Sequence, residues 1–257
     1  PADATITQTV ANSYRDSLNL GTSVLNDVTG TITWSSGVTI SKTSGSDATL
    51  TLRAGSALNT TITLNSPNIS SSSGALNLVL WTRYNAEGNA GVISVTGGTF
   101  NTNGGHVWMG GGDADASTWN GLTVGRGTTA TWSPNVQGIY IGTTSISTGA
   151  GHIKLGGMSF DTGTLNGTTN FGVWIDGGSS LQTTTGSLSI NGAVKGRYVN
   201  GIGTLIGNTS TAGNVTLQTG SGALNITGTG DDSAAGTSNH WRLGILVGGT
   251  TANGNIT

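Results

Sequence analysis

The chain has 257 residues with a formal net charge of −2, and only 8% of them are charged, so no basic patch exists to neutralise phosphates and nucleic acid is excluded as an expected partner. It has no cysteine, which removes disulfides and thiolate metal sites, and no apolar run approaching the ~18 residues of a membrane span. Glycine numbers 45 and proline 3 without a collagen period, and regular Val, Ile and Leu among Thr, Ser and Asn argue for β structure with a core, against both disorder and an ordinary helical enzyme.

The opening Pro1-Ala-Asp-Ala-Thr lacks the basic and apolar regions of a secretion signal, so an exported protein would be represented here by a mature or excised segment. Ala11 to Leu20 shows no helical stripe, and no helical cap is expected there. Thr31-Ile-Thr-Trp-Ser35 and Ala48-Thr-Leu-Thr-Leu-Arg-Ala-Gly55 alternate with period two, as strands with one buried face do. Ser73-Gly-Ala-Leu-Asn77 opens a phrase that returns as Ser221-Gly-Ala-Leu-Asn225. Gly110 to Asn120 reads as a loop, and so does Asp231 to Asn239. No composition shift divides the chain, so residues 1–257 are read as one domain.

From Gly138 onward two strand types alternate. One is Gly138-Ile-Tyr-Ile141, Gly172-Val-Trp-Ile175 and Gly203-Thr-Leu-Ile206; the other starts at Gly151, Gly186 and Gly222. Repetition in one order and orientation predicts an all-β, right-handed parallel β-helix, a β-solenoid whose units bury their faces only by stacking. Each type recurs at roughly 31 to 36 residues, either one large coil or two of about half that length; two are favoured because about 18 residues accommodate three short strands and three corners, which gives about 13 coils and a rod on the order of 60 Å. Ile153 and Leu155, Leu188 and Ile190, Leu224 and Ile226, and Leu76, Leu78 and Leu80 are expected inside. Asn-Gly pairs such as Asn120-Gly121 are hairpin signals, but the ordered repeats outweigh them.

These phrases resemble the filamentous haemagglutinin-like large exoproteins of two-partner secretion. The likeness is carried by Ala48 to Gly55, Ile69 to Asn77, Gly91-Val-Ile-Ser-Val-Thr-Gly-Gly98, Thr102-Asn-Gly-Gly105, Thr184 to Ile190 and Gly220 to Gly230. It runs from about Gly30 onward, with Trp81 and Trp108 departing from the pattern. The resemblance implies a right-handed parallel β-helix, an extracellular or bacterial cell-surface (outer-membrane associated) location, and roles in adhesion or biofilm. The secretion domain that begins such proteins is missing, so the segment would be the central rod of a longer fibre.

Solenoid enzymes cluster carboxylates for calcium or for acid and base work. The closest pairs here, Asp113/Asp115 and Asp231/Asp232, lie in Gly/Ala/Ser loops where Asp is an ordinary turn residue. His106, His152 and His240 share no ligand spacing, so no metal, cofactor or catalytic residue is assigned. Trp108 and Trp174 sit mid-strand in Val-Trp-Met and Val-Trp-Ile and are expected to point outward. There they are candidate surface contacts for glycans or a neighbouring rod, unless a loop folds over them. Thr-x-Thr pairs such as Thr31/Thr33 and Thr61/Thr63 raise ice binding, but they are irregular and end at Thr131. Seven Asn-x-Ser/Thr phrases, at Asn59, Asn68, Asn166, Asn208, Asn214, Asn225 and Asn255, are candidate glycan sites.

The expected function is a structural or adhesive fibre segment without enzymatic activity, whose partners are itself, neighbouring segments, or host or matrix glycans. The alternatives are a carbohydrate-binding or polysaccharide-active β-helix, and a protomer of an end-to-end homopolymeric filament.

Overall fold

A computed structural model describes residues 2–55, 60–82, 91–111, 118–119, 122–123, 137–161, 169–196, 200–207, 213–230 and 242–248. The first level of chain consists of strand β1 (Ala4–Ile6), helix α1 (Gln8–Asn19) and β2 (Val24–Val28). The next comprises β3 (Ile32–Trp34), β4 (Thr39–Lys42) and β5 (Ala48–Ala54), and the third β6 (Thr60–Asn65), β7 (Asn68–Ser71) and β8 (Leu76–Thr82). A long β9 (Gly91–Asn101) leads to β10 (Val107–Gly111), followed by the short pair β11 (Thr118–Trp119) and β12 (Leu122–Thr123). A second long strand, β13 (Gln137–Ser147), leads to β14 (Ile153–Asp161). Then come β15 (Thr169–Ile175), β16 (Ser180–Thr183), β17 (Leu188–Gly196), β18 (Asn200–Ile206), β19 (Thr216–Thr219), β20 (Leu224–Thr229) and β21 (Arg242–Val247).

The strands stack in parallel rows that the chain visits in a fixed order. The first row runs β1-β3-β6-β9-β13-β15-β18-β21, and the third β2-β5-β8-β10-β14-β17-β20. Between them lies a second row: β4 and β7, the last residues of β9 and β13, then β16 and β19. In β9 and β13 one strand serves two rows because it bends at a left-handed residue, Gly97 at φ 61° and Thr143 at φ 50°. Ser66, between β6 and β7, turns the same corner at φ 46°. Among the described residues the one antiparallel pair is β11 with β12, where Trp119 is the register partner of Leu122. The hairpin signal at Asn120-Gly121 itself lies outside the described residues.

Register follows the repeats. Ile139, Val173 and Thr204 are direct partners in the first row, and Ile153, Leu188 and Leu224 in the third. The two phrase types thus occupy different rows of one level. Partners lie 28 residues apart at Ala4↔Ile32 and 46 apart at Ile93↔Ile139, so the expected coil of about 18 residues is too short. The count of about 13 coils gives way to eight strands in the longest described row.

Period-two alternation places one apolar column inside. Ile32, Ile62, Ile93, Ile139 and Val173 are fully buried in the first row, and Leu50, Leu78, Val107, Ile153 and Leu188 in the third. Each such side chain contributes about 1.5–3 kcal/mol by leaving water. Leu224, on the last described strand of the third row, is 38% exposed, and Ile226 beside it is half-buried against the core.

Glycine at the head of each third-row phrase has a steric reason. A Cβ on Gly151 would overlap the carbonyl of Gly105 one level below, one on Gly186 that of Gly151, and one on Gly222 that of Gly186. Each corner is closed by a buried hydroxyl three residues earlier. Thr102 donates to the Gly105 carbonyl at 2.5 Å, Thr148 to that of Gly151 at 2.6 Å, and Thr183 to that of Gly186 at 2.5 Å. Ser71 makes the equivalent bond to Gly74 at 2.8 Å. In the second level Lys42 takes this place. Its buried Nζ donates to the Ser44 and Gly45 carbonyls at 2.9 and 3.1 Å, and to that of Ser73.

Helix α1 corrects the expectation that Ala11 to Leu20 forms no helical cap. It stands where the next six levels have a second-row strand, between β1 and β2, and packs on β4. Thr7 caps its N-terminus, and Ala11 and Leu18 are buried, with Val10 and Tyr14 packed against the same core. The stripe Ala11, Tyr14, Leu18 has helical spacing, but Ala and Tyr carry too little hydrophobicity to announce it.

Candidate functional site

Trp108 and Trp174 do point away from the apolar column, and they are nonetheless covered. Their neighbours Val107, Met109, Val173 and Ile175 all belong to the main core, while the two indoles belong to separate clusters on the opposite faces. Trp108 is 1% exposed and Trp174 6% exposed, so the expected surface contacts are corrected to buried positions. The reason lies in the register. Trp108 pairs with Val79 on the next strand, and Trp81 meets it edge to face with ring centroids 6.3 Å apart. Trp174 pairs with Tyr140 and Leu205 and lies 4.9 Å from the rings of both Tyr140 and Phe171. Its indole N–H donates to the Gly207 carbonyl at 3.3 Å.

Two polar strings border these clusters. On the outer face of the third row, Asp27 pairs with Arg53, whose guanidinium lies 5.3 Å from the centroid of the Trp81 ring. Beside the first-row cluster, the Tyr140 hydroxyl donates to the buried Asp176 carboxylate at 3.0 Å, and the Gly177 N–H donates to its other oxygen at 2.8 Å. Burial and the Asp176 charge push the Tyr140 phenol up to about 12. The outer residues in register with Tyr140 change character along the row. Thr5, Thr33, Thr63 and Ser94 give way to Tyr140, Trp174 and Leu205, so the threonine ladder is short.

The histidines that share no sequence spacing are brought together. His106 and His152 are register partners just ahead of β10 and β14, with rings stacked at 5.1 Å and 20°. They continue a column of side chains that each accept a backbone N–H from the next level. Asn77 Oδ1 accepts from His106 at 2.9 Å, His106 Nδ1 from His152 at 2.9 Å, and His152 Nδ1 from Ser187 at 2.8 Å. An Nδ1 that accepts places the ring proton on Nε2, so in this state neither ring offers a free nitrogen lone pair to a metal. Among the described residues no three His, Asp or Glu side chains converge as metal ligands would.

The described acids serve the frame. Asp3 accepts from Thr31 N–H and Asp47 from Ala75 N–H, each at 2.7 Å and each one level up. Asp113, Asp115, Asp231 and Asp232 lie outside the described residues, as do His240 and the sequons at Asn59, Asn166, Asn208 and Asn255. The sequon asparagines Asn68, Asn214 and Asn225 are exposed. Sequence reasoning missed the Lys42 and Ser/Thr column, although the spacing Thr-x-x-Gly at Thr102, Thr148, Thr183 and Thr219 was there to find. Comparison of the chain with protein-family models, with curated proteins and with solved structures gives no match.

Proposed function

We propose that the chain is a structural, non-enzymatic β-solenoid segment of a bacterial cell-surface or secreted fibre. On this reading it is a right-handed parallel β-helix acting as a stalk or self-associating rod in adhesion, similar in kind to the central rods of filamentous haemagglutinin-like exoproteins. The observation that carries the reading is the pairing of like with like: repeated phrases are in-register parallel partners around one apolar column. Such a body resists extension because pulling it apart breaks a backbone ladder and an aliphatic stack together. Weak contacts from its hydroxyl- and amide-rich surface would gain strength by repetition along a fibre.

The two tryptophans contribute to this role from inside, as covered clusters that stiffen the outer faces of the rows. Helix α1 bears on self-association. Its bonds to β4 occupy one edge that an end-to-end partner would need. Lateral contact is the mode that fits better.

Electron microscopy of the purified chain, together with a glycan array and a reducing-sugar assay, tests the proposal. Short rods of roughly 35 Å for eight levels at ~4.8 Å each, associating side by side, are expected. Turnover of a polysaccharide, lost when Asp113 or Asp232 is replaced, would overturn the structural reading in favour of an enzyme.

A further inference from the structure

We infer that the stacked pair His106–His152 is an acid-sensitive seam in the third row, which closes the ladder at neutral pH and opens it under mild acidification. The geometry carries this. Both Nδ1 atoms receive backbone N–H groups, from His152 at 2.9 Å and from Ser187 at 2.8 Å. Protonating either imidazole puts a hydrogen on Nδ1, where it faces another donor, and the bond is lost. Protonating both places two cations in rings stacked at 5.1 Å. The two histidines tie three levels, so the entries of β10, β14 and β17 loosen together.

The surroundings reinforce the neutral state. On the four strands that bear the column, β8, β10, β14 and β17, the charged residues among those described are Lys154, Asp161 and Lys195. Lys154 lies two residues past His152, between the inward Ile153 and Leu155, and adds a like charge to that outer face. Asp161 and Lys195 stand toward the far ends of β14 and β17. Asp47, two levels below His106 at the preceding corner, is engaged by the Ala75 N–H. Burial and the neighbouring His152 hold His106 below the usual histidine range. With a folded value below the unfolded one, stability is fully present above the unfolded pKa of about 6.5 and is lost as pH falls through the window beneath it.

The chain contains its own pH-insensitive version of the device, because Asn77 Oδ1 fills the same role one level below His106. The test compares wild type with a His106→Asn/His152→Asn double variant by amide-exchange protection, corrected for intrinsic rates, at about pH 7.5 and about pH 5. In wild type the protection of the His152 and Ser187 amides is expected to fall by roughly ten-fold or more relative to Ile40, the scale set by losing one hydrogen bond. In the variant it should stay level. A fall of equal size in both proteins, or none in wild type, would overturn the inference. Imidazole ¹⁵N spectra of wild type serve if the variant does not fold: Nδ1 bare at about pH 7.5 is expected, and Nδ1 protonated there would refute the seam.

Discussion

The side-chain amide of Gln8 is bonded twice to the backbone of Thr39: its Nε2 donates to the Thr39 carbonyl and its Oε1 accepts the Thr39 N–H, both at 2.9 Å. A helix residue thereby supplies what a neighbouring strand would have supplied. At the other end of β4, Asn19 Oδ1 accepts from Thr43 N–H at 2.8 Å and Ser44 N–H at 3.3 Å. Exposed strand edges invite pairing with other chains, and α1 blunts this one at both ends. Gln8→Ala should cost about 1 kcal/mol in urea unfolding and unprotect the Thr39 amide to exchange. Gln8→Glu, able to accept but not donate, should fall between. Wild-type protection at Thr39 in Gln8→Ala would show that the helix shields the edge by bulk alone.

The corner hydroxyls make a second prediction. Thr148 is fully buried and donates to the Gly151 carbonyl, so Thr148→Val removes the donor while keeping the shape. A loss of about 1–3 kcal/mol is expected in the denaturant midpoint, because the Gly151 carbonyl is left without that bond. Thr148→Ser should retain most of it. Equal stability of Thr148→Val and wild type would mean that the stacked glycines hold the corner alone.

Trp108 and Trp174 should emit at short wavelength and resist acrylamide when each is the sole tryptophan of the chain, since they are 1% and 6% exposed. Trp108→Ala should destabilise by about 3–5 kcal/mol, the range for truncating a buried aromatic ring. Strong quenching of either indole would return it to the surface.

Tyr140 should titrate late, near the value of about 12 that burial and the Asp176 charge impose. Its folded pKa exceeds the unfolded value of about 10, so its contribution is intact below that pH and declines as pH rises toward the folded value. Absorbance of the phenolate checks the titration. In thermal melts across the same range, Tyr140→Phe should show a shallower loss of stability than wild type.

Much of the fold was legible because period-two phrases that stack in register must resemble one another. Ile153, Leu188 and Ile190 were placed inside from alternation alone, and their burial is complete. The level length was misjudged for the same reason. First-row and third-row phrases, such as Gly138-Ile-Tyr-Ile141 and Gly151-His-Ile-Lys-Leu155, share one alphabet, so spacing alone does not separate one large coil from two small ones. The outward aim of Trp108 and Trp174 followed from Val-Trp-Met and Val-Trp-Ile, but their cover depends on which residues lie across the ladder, here Val79, Tyr140 and Leu205. Pairings across levels also hid His106 beside His152, residues 46 positions apart in the chain. Nothing in the sequence marks Lys42, because its three carbonyl partners are backbone atoms, which no residue letter reveals.

The 46-residue circuit between Ile93 and Ile139 keeps the same partner order as the 28-residue circuit between Ala4 and Ile32. Eighteen additional residues have been accommodated there, 46 minus 28, while Ile93 and Ile139 remain directly paired. Length at that junction is decoupled from the lattice of the rows. A foreign peptide spliced beside the Trp119–Leu122 pair should therefore ride on the scaffold as cargo, making it a natural place to display an epitope.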